Sequence, residues 1–476
     1  MLSHPHIPLL CAALALASCS KPPERTVTTR SPEALRLYND GVSAMERFYY
    51  TQAESLMERA MALDSTFPLA RARHALLHME RDDHSIVRAE MERALSDGAK
   101  ATRREQLYLR AWDHMAAYRY AEEAAVLDTL TTEFPSEAEA WTGRGMAFER
   151  ERNLDAAIRM YSRALEADTS YARAAMLLGY AYSTAGNHER AITEMRRYIV
   201  LDPVSADPRA SLGDLLLRVG DYDGALEQYR ASLDVRPDYW YSKRQIGTIY
   251  HIQGRLREAE ELYLASMREL PSEGARHEAN VLATRAMFDH SRGRYEEAVK
   301  GYRNSFALDS MNTSAAYGIV RALMDMGDYA TASTVIGNIR KELERRNLLR
   351  TSAMVSYHIL RARLEHKRGE EELALLECDS AMAYTNQLTR AGVEQQRAEI
   401  LLAQGRYEEA LEACDGALAV NRSYPSALLT LTKIYSAMGD RAMTLEVGGR
   451  LEGFWSGADP DFLMLKDLKR ILRTGA

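Results

Sequence analysis

The residues of this chain whose types and spacing could carry chemistry are few. His74 and His78 stand four apart in a helix-forming stretch, close enough to share one face and offer a metal two nitrogens. No Glu completes a zinc-protease motif around them and no third ligand is evident, so the pair reads as packing or surface histidines and no metal is expected. A Gly-rich phosphate loop, a G-x-S-x-G elbow and a C-x-x-C pair are all missing from the sequence. Glu296-Glu297 and Glu408-Glu409 are paired acids, but each pair falls at the start of a helix, where carboxylates complement the helix dipole. Neither a cofactor nor a reaction is expected. The formal charge of −7 is spread as mixed acid and base, with no basic stripe to hold nucleic acid.

The leader has its own chemistry. Leu9 to Ala17 is an apolar run too short to span a bilayer and fits a secretory signal. The four residues Leu16-Ala17-Ser18-Cys19 resemble the lipobox of bacterial lipoproteins. That resemblance implies a signal peptide over 1–18, cleavage before Cys19 and diacylglycerol on its thiol. An ordinary secretory signal is the other reading. Ser20 after the cysteine, where Asp is absent, is similar to the sorting signal for the outer membrane. Two or three acyl chains would anchor the chain stably where one would not. Residues 19–32 then form a lipidated, polar, flexible tether with two prolines.

The elements behind these residues are helices. Only 13 Pro and 27 Gly interrupt 476 residues rich in Ala, Leu, Glu and Arg. A pattern of Gly, then Tyr, His or Leu two residues on, then Ala three further, appears at Gly186, Gly220, Gly254, Gly293, Gly327 and Gly405. The step from Gly186 to Gly220, from Gly220 to Gly254 and from Gly293 to Gly327 is 34 residues. Gly179, Gly213 and Gly247 precede the first three, and Pro203, Pro237 and Pro271 follow them.

These positions resemble the tetratricopeptide repeat. The resemblance implies an all-α, right-handed superhelical solenoid of about twelve helix-turn-helix repeats over 33–450, ending in a capping segment over 451–476. Residues 68–137 read as two degenerate repeats, and insertions precede the repeats starting near Ala279 and Val355. Asp459–Arg473 reads as an amphipathic capping helix. Asp64–Ala70 and Thr102–Tyr108 resemble opening repeats of large bacterial arrays, and Trp455 with Ala458-Asp459-Pro460-Asp461 resembles a closing segment. A Gly eight residues into helix A lets helix B come close. The mid-repeat Gly ends helix A in the left-handed conformation. Cys378 and Cys414 take equivalent places in helix B of successive repeats, about 8–10 Å apart as packed helices are. That is too far for a disulfide, so both are expected as buried thiols.

In this repeat family certain helix A positions face a concave groove. Carried over, they give Tyr180 and Ser183, Asp214 and Arg218, then Tyr241, Arg244 and His251. Met287 and His290, Tyr317 and Arg321, and Arg363 and Lys367 follow. The chaperone-binding version of the repeat uses Asn at a position that here carries Tyr180, Asp214, Thr248, Met287 and Arg321. The resemblance therefore implies a non-catalytic scaffold that binds protein partners in its groove, suited to an extended or helical acidic segment. Together with the lipobox it implies a lipid anchor at the periplasmic face of the bacterial outer membrane and a role in an assembly, secretion or export machine. A small-ligand or glycan carrier built on the same superhelix is the alternative.

Overall fold

The computed structural model describes residues 27–79, 83–269, 274–310, 312–385 and 387–474. The signal segment and Cys19 lie outside them. Among the described residues the regular elements are helices, and the chain divides into two compact units at Asp168/Thr169.

The first unit holds four helix hairpins. They are α1 (Pro32–Glu46) with α2 (Tyr50–Leu63), α3 (Pro68–Met79) with α4 (His84–Asp97), α5 (Arg103–Ala116) with α6 (Tyr120–Glu133), and α7 (Ala138–Arg150) with α8 (Leu154–Ala167). The second unit begins with α9 (Ala172–Thr184) and α10 (His188–Leu201), α11 (Asp207–Val219) and α12 (Tyr222–Val235), and α13 (Trp240–Ile252) and α14 (Leu256–Glu269). It continues with α15 (Ala275–Ser291) and α16 (Tyr295–Leu308), α17 (Thr313–Asp325) and α18 (Tyr329–Arg345), and α19 (Ala353–Arg368) and α20 (Glu371–Met382). The last elements are α21 (Gln387–Ala403) and α22 (Tyr407–Val420), α23 (Pro425–Met438) and α24 (Arg441–Phe454), and the closing α25 (Leu463–Thr474). Twelve hairpins and a cap match the number expected, and residues 68–137 do form two of them.

The glycines explain how closely the helices pack. A Cβ added to Gly213 would stand 2.7 Å from Cε1 of Tyr229 on α12, inside any normal contact. Gly41 meets Met57, Gly145 meets Tyr161, Gly179 meets Met195 and Gly247 meets Tyr263 at the same sixteen-residue offset. In the α15–α16 hairpin the small residue changes sides, with Gly301 on α16 against Ala286.

Among the described residues, every helix A but α3 is followed by a left-handed residue. Gly220, at φ 83°, is one of the glycines seen in the sequence. In the first unit the same conformation is taken by Phe48, Tyr118 and Arg152, at φ 61°, 58° and 59°. Side chains disfavour that region, and the substitution hides those repeats from a pattern anchored on glycine. The insertions are partly absorbed as extra helix: α15 and α18 run 17 residues and α19 runs 16, against 13 or 14 in most others. The helices after the insertions therefore start at Ala275 and Ala353, earlier than the expected Ala279 and Val355.

Both ends of the described chain are pinned. Thr28 donates from its amide and its hydroxyl to the two carboxylate oxygens of Glu105, each at 2.6 Å. Thr29 Oγ1 and the Arg30 amide donate to Asp64 Oδ2 at 2.7 and 3.0 Å. Burial opposes its charge, yet these bonds and those from Thr66 hold Asp64 at about 2. Residues 28–30 of the expected tether are thus tied to the two stretches that resemble opening repeats.

At the other end, the residues before α25 fold back onto the α13–α14 turn. Trp455 is fully buried and its indole N–H donates to the Ile252 carbonyl at 3.0 Å. Helix α25 begins at Leu463 and not at Asp459, because Asp459 has another role. Its amide donates to the Gly254 carbonyl, and its carboxylate accepts from the Arg257 amide at 2.8 Å and from the Arg257 guanidinium at 3.0 Å. Helices α8, α10 and α12 are capped by Asn153, Asn187 and Asp221 just before them. Arg255 stands in that place before α14 and has no acceptor to offer, so Asp459 supplies the cap from across the unit.

Two outcomes are expected. Gly213→Leu overpacks the α11–α12 contact and costs about 1–3 kcal/mol, read as a lower urea midpoint. Asp459→Ala removes a cap worth about 1 kcal/mol, and protease nicking between α24 and α25 increases. Wild-type protection of that segment in the variant would show that Asp459 does not hold it.

Candidate functional site

The helix A face of the second unit contains two different surfaces. The first, over α9, α11 and α13, is a closed hydrogen-bond network around two carboxylates. Asp214 accepts from Tyr229 at 2.6 Å, Tyr241 at 2.8 Å and Gln245 at 3.2 Å. Asp207 accepts from Tyr198 at 3.1 Å and Tyr239 at 3.2 Å. Tyr180 donates to Ser211 at 2.9 Å, and Arg218 donates to Ser183 at 2.6 Å. Burial pushes both carboxyls and the Tyr180, Tyr229 and Tyr241 hydroxyls above their ordinary values. The expected anchors Tyr180, Arg218 and Tyr241 are therefore half-buried and satisfied from within the chain. Arg244 alone of this group is exposed.

The second surface runs over α13 to α23 and contains two cavities. One of about 260 Å³ is lined by Trp240, Arg244, Tyr263, Met287, Asn312 and Arg321, among others. His251, one of the expected groove residues, has Nε2 2.9 Å from Ser291 Oγ and its ring edge-on to Phe288. Burial, and then the charge of Arg321, lowers His251 to about 4, so it is neutral near pH 7 and adds no charge to the face. His290 Nε2 lies 3.0 Å from Asp325 Oδ2. Tyr317 is half-buried, and burial raises its hydroxyl.

The other cavity, of about 440 Å³, gathers Arg321 of α17, Arg363 and Lys367 of α19 and Lys433 of α23 against Asp325 of α17 and Glu399 of α21. Arg363 Nε donates to Gln396 Oε1 at 2.8 Å and Lys433 pairs with Asp467 of α25 at 2.8 Å. Burial opposes the charge on Asp325, but His290, Lys367 and Arg363 hold its carboxyl below the usual range. Nε of Arg321 is buried with no hydrogen-bond partner. Helix positions carried over from the repeat family reach Arg321, Arg363 and Lys367. They miss Gln396 and Lys433, which lie on the next two A helices at the same face. Four cations against two carboxylates on a wall of consecutive helices can take an anionic chain.

Cys378 and Cys414 are buried free thiols, as expected, and burial pushes each up to about 12. Neither is a nucleophile near neutral pH.

Comparison with known proteins supports the repeat reading. The sequence profile of the tetratricopeptide repeat matches residues 108–170, 150–206 and 211–273. Superkiller complex protein 3 of Mus musculus is 26% identical over 199 residues, which is 41% of this chain and 12% of that protein. Tetratricopeptide repeat protein 8 of Caenorhabditis elegans is 23% identical over 166 residues, 27% of this chain and 33% of its own length. The chain thus spans a third or less of these curated relatives. Among solved structures, the human IFIT1 dimer with m7Gppp-AAAA aligns over 91% of this chain and 96% of its own, at 15% identity and a TM-score of 0.45. The period in the sequence, the profile matches and the run of hairpins agree, and the chain belongs to the tetratricopeptide-repeat superfamily.

Proposed function

We propose that this protein is a non-catalytic scaffold that binds an acidic segment of a protein partner along the α17–α23 face. The observation that carries the reading is the gathering of Arg321, Arg363, Lys367 and Lys433 from the A helices α17, α19 and α23 around one cavity. An extended or helical segment laid across them meets cations on α17, α19 and α23. Arg is also the cation best suited to bidentate contact with carboxylates. The cavity is lined largely by charged side chains, which favours an acidic peptide over the apolar ligands that closed pockets take.

We further propose that Cys19 is lipidated and that the protein works at the periplasmic face of the bacterial outer membrane, holding components of an assembly, secretion or export machine. This part rests on Leu16-Ala17-Ser18-Cys19, which lies outside the described residues.

Two experiments test the reading. In affinity capture from detergent-solubilised membranes, Arg363→Glu with Lys367→Glu should lower partner recovery tenfold or more, and rising salt should weaken wild-type capture. Glu227→Ala, exposed on α12, should leave it unchanged. Equal recovery from both variants would remove the cationic face from consideration, and a stronger loss with Tyr241→Ala and Arg244→Ala would move the site to α13. Separately, Cys19→Ala should free the protein from membranes or leave an uncleaved precursor. A variant of mature size that still sediments with membranes would refute the lipid anchor.

A further inference from the structure

We infer that His74 and His78 of α3, with Glu54 of α2, form a divalent transition-metal site that clips these two helices together. One ligand atom from each of the three residues can be chosen so that all lie within 4.8 Å of one another. His78 Nε2 is 3.6 Å from Glu54 Oε1, and the two imidazole centroids are 4.7 Å apart at 65°. Ligand atoms around a tetrahedral zinc sit roughly 3.3 Å apart. Closing the site therefore takes a side-chain adjustment of about 1 Å and no helix movement. The third ligand that the His74–His78 stretch lacks comes from the preceding helix, twenty positions upstream of His74.

A second observation points to a ligand. His74 is buried, and its Nε2 has no hydrogen-bond partner. Its other nitrogen, Nδ1, is 2.6 Å from Glu90 Oε2 of α4. A carboxylate so placed takes the Nδ1–H, fixes the tautomer and turns the Nε2 lone pair toward the cluster, as metal-ligating histidines require. Glu58, one turn beyond Glu54 on α2, has Oε1 3.9 Å from that same Nε2 and is largely exposed. It or a water completes the coordination. Two imidazoles and a carboxylate suit zinc and its first-row neighbours, whereas calcium and magnesium prefer all-oxygen sets. The competing occupant is a proton, since the hydrogen bond to Glu90 raises the basicity of His74 and the surrounding carboxylates favour any cation.

The test uses the full chain, stripped with a chelator and titrated with Co2+ alone. A saturable visible absorption band at one equivalent, displaced by Zn2+, is expected, together with a higher melting temperature in Zn2+. His74→Ala and His78→Ala should each abolish the band, and Glu90→Gln should weaken binding roughly 10–100-fold. His84→Ala, at the start of α4 and not one of these ligands, should bind as wild type. Circular dichroism checks that each variant is folded, and if His74→Ala is not, the half-buried His78→Gln decides. No band in the wild type means the site holds a proton only and overturns the inference. So does a band that survives His78→Gln.

Discussion

A helix hairpin of some thirty residues has two apolar faces and can cover neither by itself. In this chain the solution depends on the distance between helix A and helix B, which a single small residue sets. At Gly213 there is no room even for a methyl group against Tyr229. Because Gly41, Gly145, Gly179 and Gly247 repeat that contact at the same offset, these hairpins have much the same thickness. The buried alanines, such as Ala191, Ala225 and Ala259, then seal the start of helix B. What α9, α11 and α13 display side by side depends on this regular thickness.

The second constraint is that a helix start leaves amide donors that an acceptor can satisfy. Where Asn153, Asn187, Asp221, Asp328 or Asp440 stands before helix B, the need is met locally. Arg255 cannot meet it, and the deficit at α14 is filled by Asp459 from the far end of the unit. The same substitution places Arg255 over the Tyr250 ring, 3.7 Å from its centroid. With Trp455 and Phe462 buried beside it, the closing segment is held by polar and apolar contacts together. A local fault in the repeat pattern thus becomes a long-range tie.

What could be read from the sequence follows from how local each feature is. The hairpins, the close-approach glycines and the buried thiols at Cys378 and Cys414 depend on a period, and a period is visible in one dimension. The left-handed turns at Phe48, Tyr118 and Arg152 were not legible, because those residue types argue against the conformation they adopt. The Asp459 cap and the third ligand Glu54 were not legible either, since each depends on which distant helix the array brings alongside. The groove positions were half legible. Tyr180, Arg218, Tyr241 and His251 do face the A-helix side, but the sequence could not show that Ser211, Ser183, Asp214 and Ser291 already use their polar atoms.

That last difference is the reason the proposed site lies over α17 to α23 and not over α9 to α13. A buried polar group must be satisfied by the chain, by water or by a ligand. Over α9 to α13 the tyrosines and carboxylates satisfy one another, so a partner arriving there would have to break bonds before making any. Over α17 to α23 the balance is reversed. Arg321 keeps a buried donor without an acceptor, and the cations outnumber the carboxylates that face them. Gln396 holds Arg363 in position without neutralising it, whereas Asp467 both positions Lys433 and offsets its charge. A surface that is ordered yet still short of negative charge gains most from an acidic segment, because little rearrangement offsets the new contacts.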